Sequence, residues 1–262
     1  MNKLTATFSL MLLFPVLSPA QENPAKPVWA HEGSDLKPDP KATHGSMENG
    51  LRYIILPNTE PPKRVSIRLH IATGSLMEED DQQGIAHFLE HMAFNGTRNY
   101  PADEMVEFFQ RLGMAFGADT NAHTSFDETV YKLELPDNKP DLLGKGVLFM
   151  RDVADGMIIG AKEIEKERGV IMSEKNARDS VDFRTMIEGF KFTLPESLIP
   201  NRLPIGTEEV IRKAPQKRFL DYYKKWYTPN RMVMIVVGDV EVEPVKKLLA
   251  ENFADMKAPS VF

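Results

Sequence analysis

Val65, Ile67, Leu69 and Ile71 alternate with Ser66, Arg68 and His70. Successive side chains of a strand point to opposite faces, so this run calls for a sheet with one buried face and one polar face. The period then changes. Ile85, Phe88, Leu89 and Met92 fall at helical spacing, and the pattern predicts a helix from Gln82 to about Phe94 with one side toward the core. A strand period followed by a helix period, repeated along one chain, implies an α+β fold: a mostly antiparallel sheet with helices packed on it.

The rest of the chain fits that frame. Ser46 to Leu56 reads as a hairpin with Asn49-Gly50 as its two-residue turn. Pro101 opens a helix with Met105, Phe108, Phe109 and Leu112 as its apolar side and Gly113 as terminator. Met114 to Ser125 and Thr129 to Leu135 read as paired strands. Helices are expected over Asp141 to Gly156, Ala161 to Arg178 and Gln216 to Trp226. Met232 to Val237 suits a buried strand, closed by Gly238-Asp239 before a last helix from about Glu243 to Phe253.

With 262 residues and 42% hydrophobic content, the chain is long enough for one large core. Its net charge of −6, with no basic run along one face, excludes nucleic acid as a partner. Lys3, the apolar stretch Phe8 to Leu17 and the small-residue site Ser18-Pro19-Ala20 read as a signal peptide over 1–20, cleaved near Ala20. The apolar run is shorter than the roughly 20 residues of a membrane span, so no span is expected after cleavage. A periplasmic or secreted location follows, and the absence of cysteine is compatible with it. Pro24, Pro27, Pro38 and Pro40 mark 21–45 as an extended linker. The folded domain is expected over 46–256, and 257–262 reads as the start of a connection to a further domain.

His87 and His91 lie four apart on the expected helix, so their imidazoles can aim at one point from consecutive turns, with Glu90 beside them. Two neutral imidazoles and a carboxylate able to take a proton from an attacking water suit a catalytic zinc. The order is H-x-x-E-H, the reverse of the commoner zinc-peptidase helix motif. The bland alternative is a solvated helix face. Catalytic zinc usually takes a third protein ligand. The charged helix at Ala161 to Arg178 offers Glu163, Glu165, Glu167 and Glu174, and spacing alone does not choose among them. Glu167 and Glu174, seven apart, share one helical face.

The segment Gly84 to Thr97, with Glu167-Arg168-Gly169-Val170-Ile171-Met172-Ser173-Glu174, resembles the pitrilysin/insulinase family of zinc peptidases. The likeness runs from about Met47 to Met256. It takes in Asn49-Gly50-Leu51, Ala72-Thr73-Gly74-Ser75, Asn121-Ala122, Asp127-Glu128-Thr129 and Gly238-Asp239 in the family's order, and is similar to the bacterial periplasmic branch of two-halved members. The resemblance implies that His87, His91 and Glu174 bind one zinc ion per chain and that Glu90 is the general base. It implies that Glu167 supports the site without binding metal, and that Asn121 and Ala122 lie on an edge strand that pairs with the backbone of a peptide substrate.

The resemblance further implies that additional homologous domains, or a partner chain, complete the active site. Two function classes stay open. One is a zinc endopeptidase acting on unfolded peptides or small proteins. The other is a catalytically silent partner or scaffold of the same fold, or a fragment inactive without its missing domains. The intact set His87, Glu90, His91 and Glu174 favours the enzyme. His31 and His44 in the linker stretch, His70 on the strand's polar side and His123 beside the proposed substrate strand are read as solvated or structural.

Overall fold

The computed structural model describes residues 29–101, 107, 109–115 and 117–257. The expected signal segment, and Met105 and Phe108 of the helix expected from Pro101, lie outside the described residues. The chain divides into two compact units, 1–37 and 38–262. The described part of the first carries a 3-10 turn, Ala30–Gly33.

The second unit is built on a six-stranded sheet. Its strands are β1 (Thr43–Ser46), β2 (Arg52–Pro57), β3 (Val65–Ile71), β4 (Thr120–Thr124), β5 (Thr129–Leu135) and β6 (Met232–Gly238), in the order β1-β2-β6-β3-β5-β4. The β2–β6 pair is parallel and every other pair antiparallel. The helices are α1 (Ile85–Met92), α2 (Pro140–Asp155), α3 (Ala161–Arg178), α4 (Val181–Thr193), α5 (Glu208–Lys213), α6 (Gln216–Trp226) and α7 (Val242–Phe253).

Strand β3 shows the alternation its sequence predicts. Val65, Ile67, Leu69 and Ile71 are buried, whereas Arg68 on the opposite face is exposed. Burying each such side chain stabilises the fold by about 1.5–3 kcal/mol. Helix α2 comes close to this face at Gly146, where a Cβ would lie 2.9 Å from Ile67 Cδ1. The absence of a side chain at Gly146 therefore lets the helix settle onto the sheet. Pro140 opens α2 at its first turn, where a missing N–H costs nothing.

Four local features differ from expectation. The first hairpin begins at Thr43, inside the stretch read as linker, so His44 belongs to β1. Its turn is also longer than two residues: Met47 N–H bonds to Leu51 O at 2.8 Å and Gly50 N–H to Met47 O at 2.9 Å. Gly50, at φ 89°, takes the left-handed position that a three-residue hairpin loop needs. Strand β4 covers only Thr120–Thr124 of the longer strand expected over 114–125. Helices α4 and α5 were not expected, and α4 has no buried residue.

Candidate metal centre

Helix α1 faces two ways. Ile85, Ala86, Phe88, Leu89 and Met92 are buried, and Phe88 meets Phe219 edge-on with ring centres 4.8 Å apart. The four-residue spacing sets the rings of His87 and His91 4.7 Å apart on another side of the helix. The helix starts at Gly84, whose φ of 105° is left-handed and suits a residue without Cβ.

Helix α3 passes beside these rings with Glu167 and Glu174 on the facing side. Glu174 Oε2 lies 3.5 Å from His87 Nε2 and 3.3 Å from His91 Nε2. Among the described residues, His87, His91 and Glu174 are the group of three whose ligand atoms all lie within 4.8 Å of one another and could hold a metal ion. Zinc–ligand bonds of about 2.0–2.2 Å give a tetrahedron with edges of about 3.3–3.6 Å, and the two distances to Glu174 match those edges. Glu163 and Glu165 are not part of the group.

Two of the three atoms that do not converge are held from behind. His91 Nδ1 meets Glu167 Oε1 at 2.8 Å, and Asn95 Nδ2 donates to Glu167 Oε2 at 2.6 Å. Arg178 Nη2 donates to Glu174 Oε1 from one turn further along α3, leaving Oε2 to face the imidazoles. His87 Nδ1 is buried without a hydrogen-bond partner. Its Nε2 is the ring nitrogen that faces Glu174 Oε2.

Electrostatics follow from burial and neighbours. Burial, helped by His91, pushes His87 down to about 4, which keeps its ring neutral and suited to binding a cation. Burial also lowers His91, but the Glu167 bond and surrounding carboxylates outweigh it and leave His91 above its ordinary value. For Glu167, burial is overcome by the bonds from His91 and Asn95, and its carboxyl lies below the usual range. Glu174 is lowered too, because His87 and Arg178 outweigh burial. Burial dominates at Glu90 and raises it, opposed by the bond from Thr124.

Glu90 and His91 face a cleft of about 420 Å³ lined also by Phe94, Asn95, Asn121, Ala122, Glu167 and Val170. Thr124 Oγ1, on β4, donates to Glu90 Oε2 at 2.6 Å. Asn121 and Ala122 lie on that same β4, the last strand of the sheet. Asn121 is exposed, and its Oδ1 accepts the Ala122 N–H at 2.8 Å. His123 pairs with Glu128 at 3.2 Å, and Glu128 also meets His70 at 3.1 Å, so both histidines have local partners. The seven residues singled out in the sequence thus border one cleft and one cluster. Sequence reasoning assigned no role to Thr124, Arg178 or Asn95, although Asn95 lies inside the quoted motif.

The insulinase (peptidase family M16) model matches residues 53–189, more than half of the chain, and the peptidase M16 inactive-domain model matches 213–261. The probable zinc protease PqqL of Haemophilus influenzae is 38% identical over 97% of this chain and 27% of its own length. The Escherichia coli protein of that name is 37% identical over 85% of this chain and 24% of its length. The chain therefore spans about a quarter of these curated relatives. The first half of the periplasmic protease PqqL from Escherichia coli superposes with a TM-score of 0.82 at 36% identity, covering 86% of this chain and 48% of that one. A mutant of the ferredoxin protease FusC, in complex with Arabidopsis ferredoxin, superposes with a TM-score of 0.79 at 27% identity, covering 84% and 24%. Pitrilysin, at 23% identity and a TM-score of 0.69, shares the fold. The family-model match over 53–189, together with these relatives, places the chain in the insulinase family of peptidases, family M16.

Proposed function

We propose that this chain is the zinc-bearing unit of a periplasmic metallopeptidase that hydrolyses peptide bonds in unfolded peptides or small proteins. The observation that carries the reading is that Glu174 Oε2 meets His87 Nε2 and His91 Nε2 at distances that match the edges of a zinc tetrahedron, in a group whose ligand atoms all lie within 4.8 Å of one another. One zinc ion per chain, held by these three, would polarise the scissile carbonyl and bring the pKa of the attacking water toward about 7.

The chain's own residues supply the rest. Glu90, made more basic by burial, takes the proton of the attacking water and returns it to the leaving amine. Thr124 holds one Glu90 oxygen and leaves the other free to face the cleft. Glu167 fixes the His91 ring. The peptide backbone adds as a further strand along β4 at Asn121 and Ala122, displacing the Asn121 amide oxygen from the Ala122 N–H. Such pairing reads backbone rather than side chains, which suits unfolded substrates.

Relatives of which this chain spans about a quarter support the view that further homologous domains, or a partner chain, close this cleft. A periplasmic setting rests on the signal-like first twenty residues and on the periplasmic relative. Among the described residues no helix is long and apolar enough to cross a membrane. The inactive-domain match begins at residue 213, beyond all seven site residues, and so leaves the peptidase reading intact.

Hydrolysis of a quenched fluorescent, unstructured peptide tests the reading, with the Glu90→Gln variant as the blank. Both proteins are expected to hold zinc, and only the first to cleave. Cleavage at an equal rate by zinc-loaded Glu90→Gln would refute the role of Glu90.

A further inference from the structure

The proposed centre takes two of its three ligands from a helix only eight residues long. Their aim therefore depends on how that helix is seated. The first N–H groups of any helix have no partner within it, and here two of them meet the side chain of Glu78. Its Oε1 accepts the Gly84 N–H at 3.0 Å and the Ala86 N–H at 2.8 Å, and its Oε2 lies 3.0 Å from the Gly84 nitrogen. Glu78 is 5% exposed. It is carried by a turn outside α1, where its own backbone oxygen accepts Arg202 Nε at 3.2 Å. The Glu78 carboxyl group thus fastens the start of α1, one residue before His87, to a separate part of the chain.

The same corner holds the other ligand-bearing helix. The backbones of Gly84 and Gly206 abut so closely that a Cβ on Gly84 would lie 2.8 Å from Gly206 Cα. Lys175, next to Glu174 on α3, donates to Gly206 O at 2.6 Å. The rotation of α1 and the placement of Glu174 are therefore referred to one point, and Glu78 sets the α1 side of it.

We propose that Glu78 is a positioning residue of the metal centre, setting the rotation and height of α1 so that His87 and His91 meet Glu174. It touches neither metal nor substrate. The inference rests on the reading of His87, His91 and Glu174 as the ligand set, and goes beyond it by assigning their aim to a residue outside both helices.

The test measures zinc affinity of the full chain by competition with a chromogenic chelator, and the absorption spectrum of the cobalt-substituted protein, for Glu78→Met, Glu78→Asp and Glu78→Gln. Oε1 accepts both N–H groups, so glutamine can keep both bonds through its oxygen and loses only the second acceptor, Oε2, at the Gly84 N–H; affinity within about threefold of wild type is expected. Methionine offers no such acceptor and aspartate is one methylene short. Both are expected to weaken zinc by about 10–100-fold and to alter the cobalt spectrum. A merely structural cap would lower the thermal midpoint of the metal-free chain while folded molecules kept wild-type affinity and spectrum; that result overturns the proposal. So does a glutamine variant as weak as methionine. If the methionine variant does not fold, the other two decide, and aspartate equal to glutamine overturns the proposal. A wild-type chain that binds no zinc instead removes the ligand reading itself, and is recognised before any variant is compared.

Discussion

Thr124 Oγ1 donates to Glu90 Oε2 at 2.6 Å, so the carboxylate proposed as base hangs from the strand proposed to carry the peptide. A hydrogen bond to a charged group contributes about 1.5–3 kcal/mol, and about 1.4 kcal/mol is tenfold in rate. Thr124→Val is expected to slow peptide hydrolysis about tenfold or more. Zinc affinity should stay unchanged, and Thr124→Ser should keep most of the rate. A valine variant at wild-type kcat would show that the bond does not position the base.

Glu167 touches His91 on the side away from the metal cluster and is itself gripped by Asn95. Loss of such an outer partner usually weakens metal binding about 10–100-fold. Glu167→Ala is expected to fall in that range by competition titration, and Asn95→Ala to show a smaller loss in the same direction. Equal affinity in all three proteins would assign Glu167 a different role.

Much of this arrangement could be read from the sequence because it rests on local periodicity. The alternation in β3 and the four-residue spacing of His87 and His91 are properties of neighbouring residues, and the structure keeps them. What was not legible depends on contacts between distant segments. Thr124 meets Glu90 across 34 positions, and nothing in either local pattern announces it. Spacing left Glu163, Glu165, Glu167 and Glu174 open as third ligand, and only the crossing of α1 with α3 brings Glu174 Oε2 to both imidazoles. Helix α4 escaped because its apolar residues, Val181, Met186 and Phe192 among them, stay exposed and mark no core-facing stripe. The hairpin turn was misread because Asn49-Gly50 also suits the longer loop, in which Gly50 alone is left-handed.

Burial pushes the Glu78 carboxyl from 4.5 up to about 8, against the pull of its backbone N–H bonds and Arg202. Between those values the folded chain holds a proton that the unfolded chain has released. Its contribution to stability is therefore full below about pH 4.5 and is lost as pH rises through about 8. Urea unfolding of the metal-free chain should show a steeper loss of stability across this window than Glu78→Gln. Parallel pH profiles would contradict the assignment.

Gly84 combines a φ of 105° with a backbone neighbour, Gly206, that leaves no room for Cβ. An L side chain in left-handed backbone costs about 1–2 kcal/mol before any clash is counted. Gly84→Ala is expected to lose at least that much in urea unfolding, whereas Gly169→Ala, in open space on α3, should be neutral or stabilising. A neutral Gly84→Ala would mean that the corner holding α1 is looser than the structure has it.

Whether His87, His91 and Glu174 form one metal site is tested most directly by zinc titration of the full chain followed by metal analysis of the dialysed protein. One zinc per wild-type chain is expected, with binding lost in each of His87→Ala, His91→Ala and Glu174→Ala while Glu163→Ala keeps it. Retention of stoichiometric zinc by the Glu174→Ala chain at wild-type affinity would contradict it.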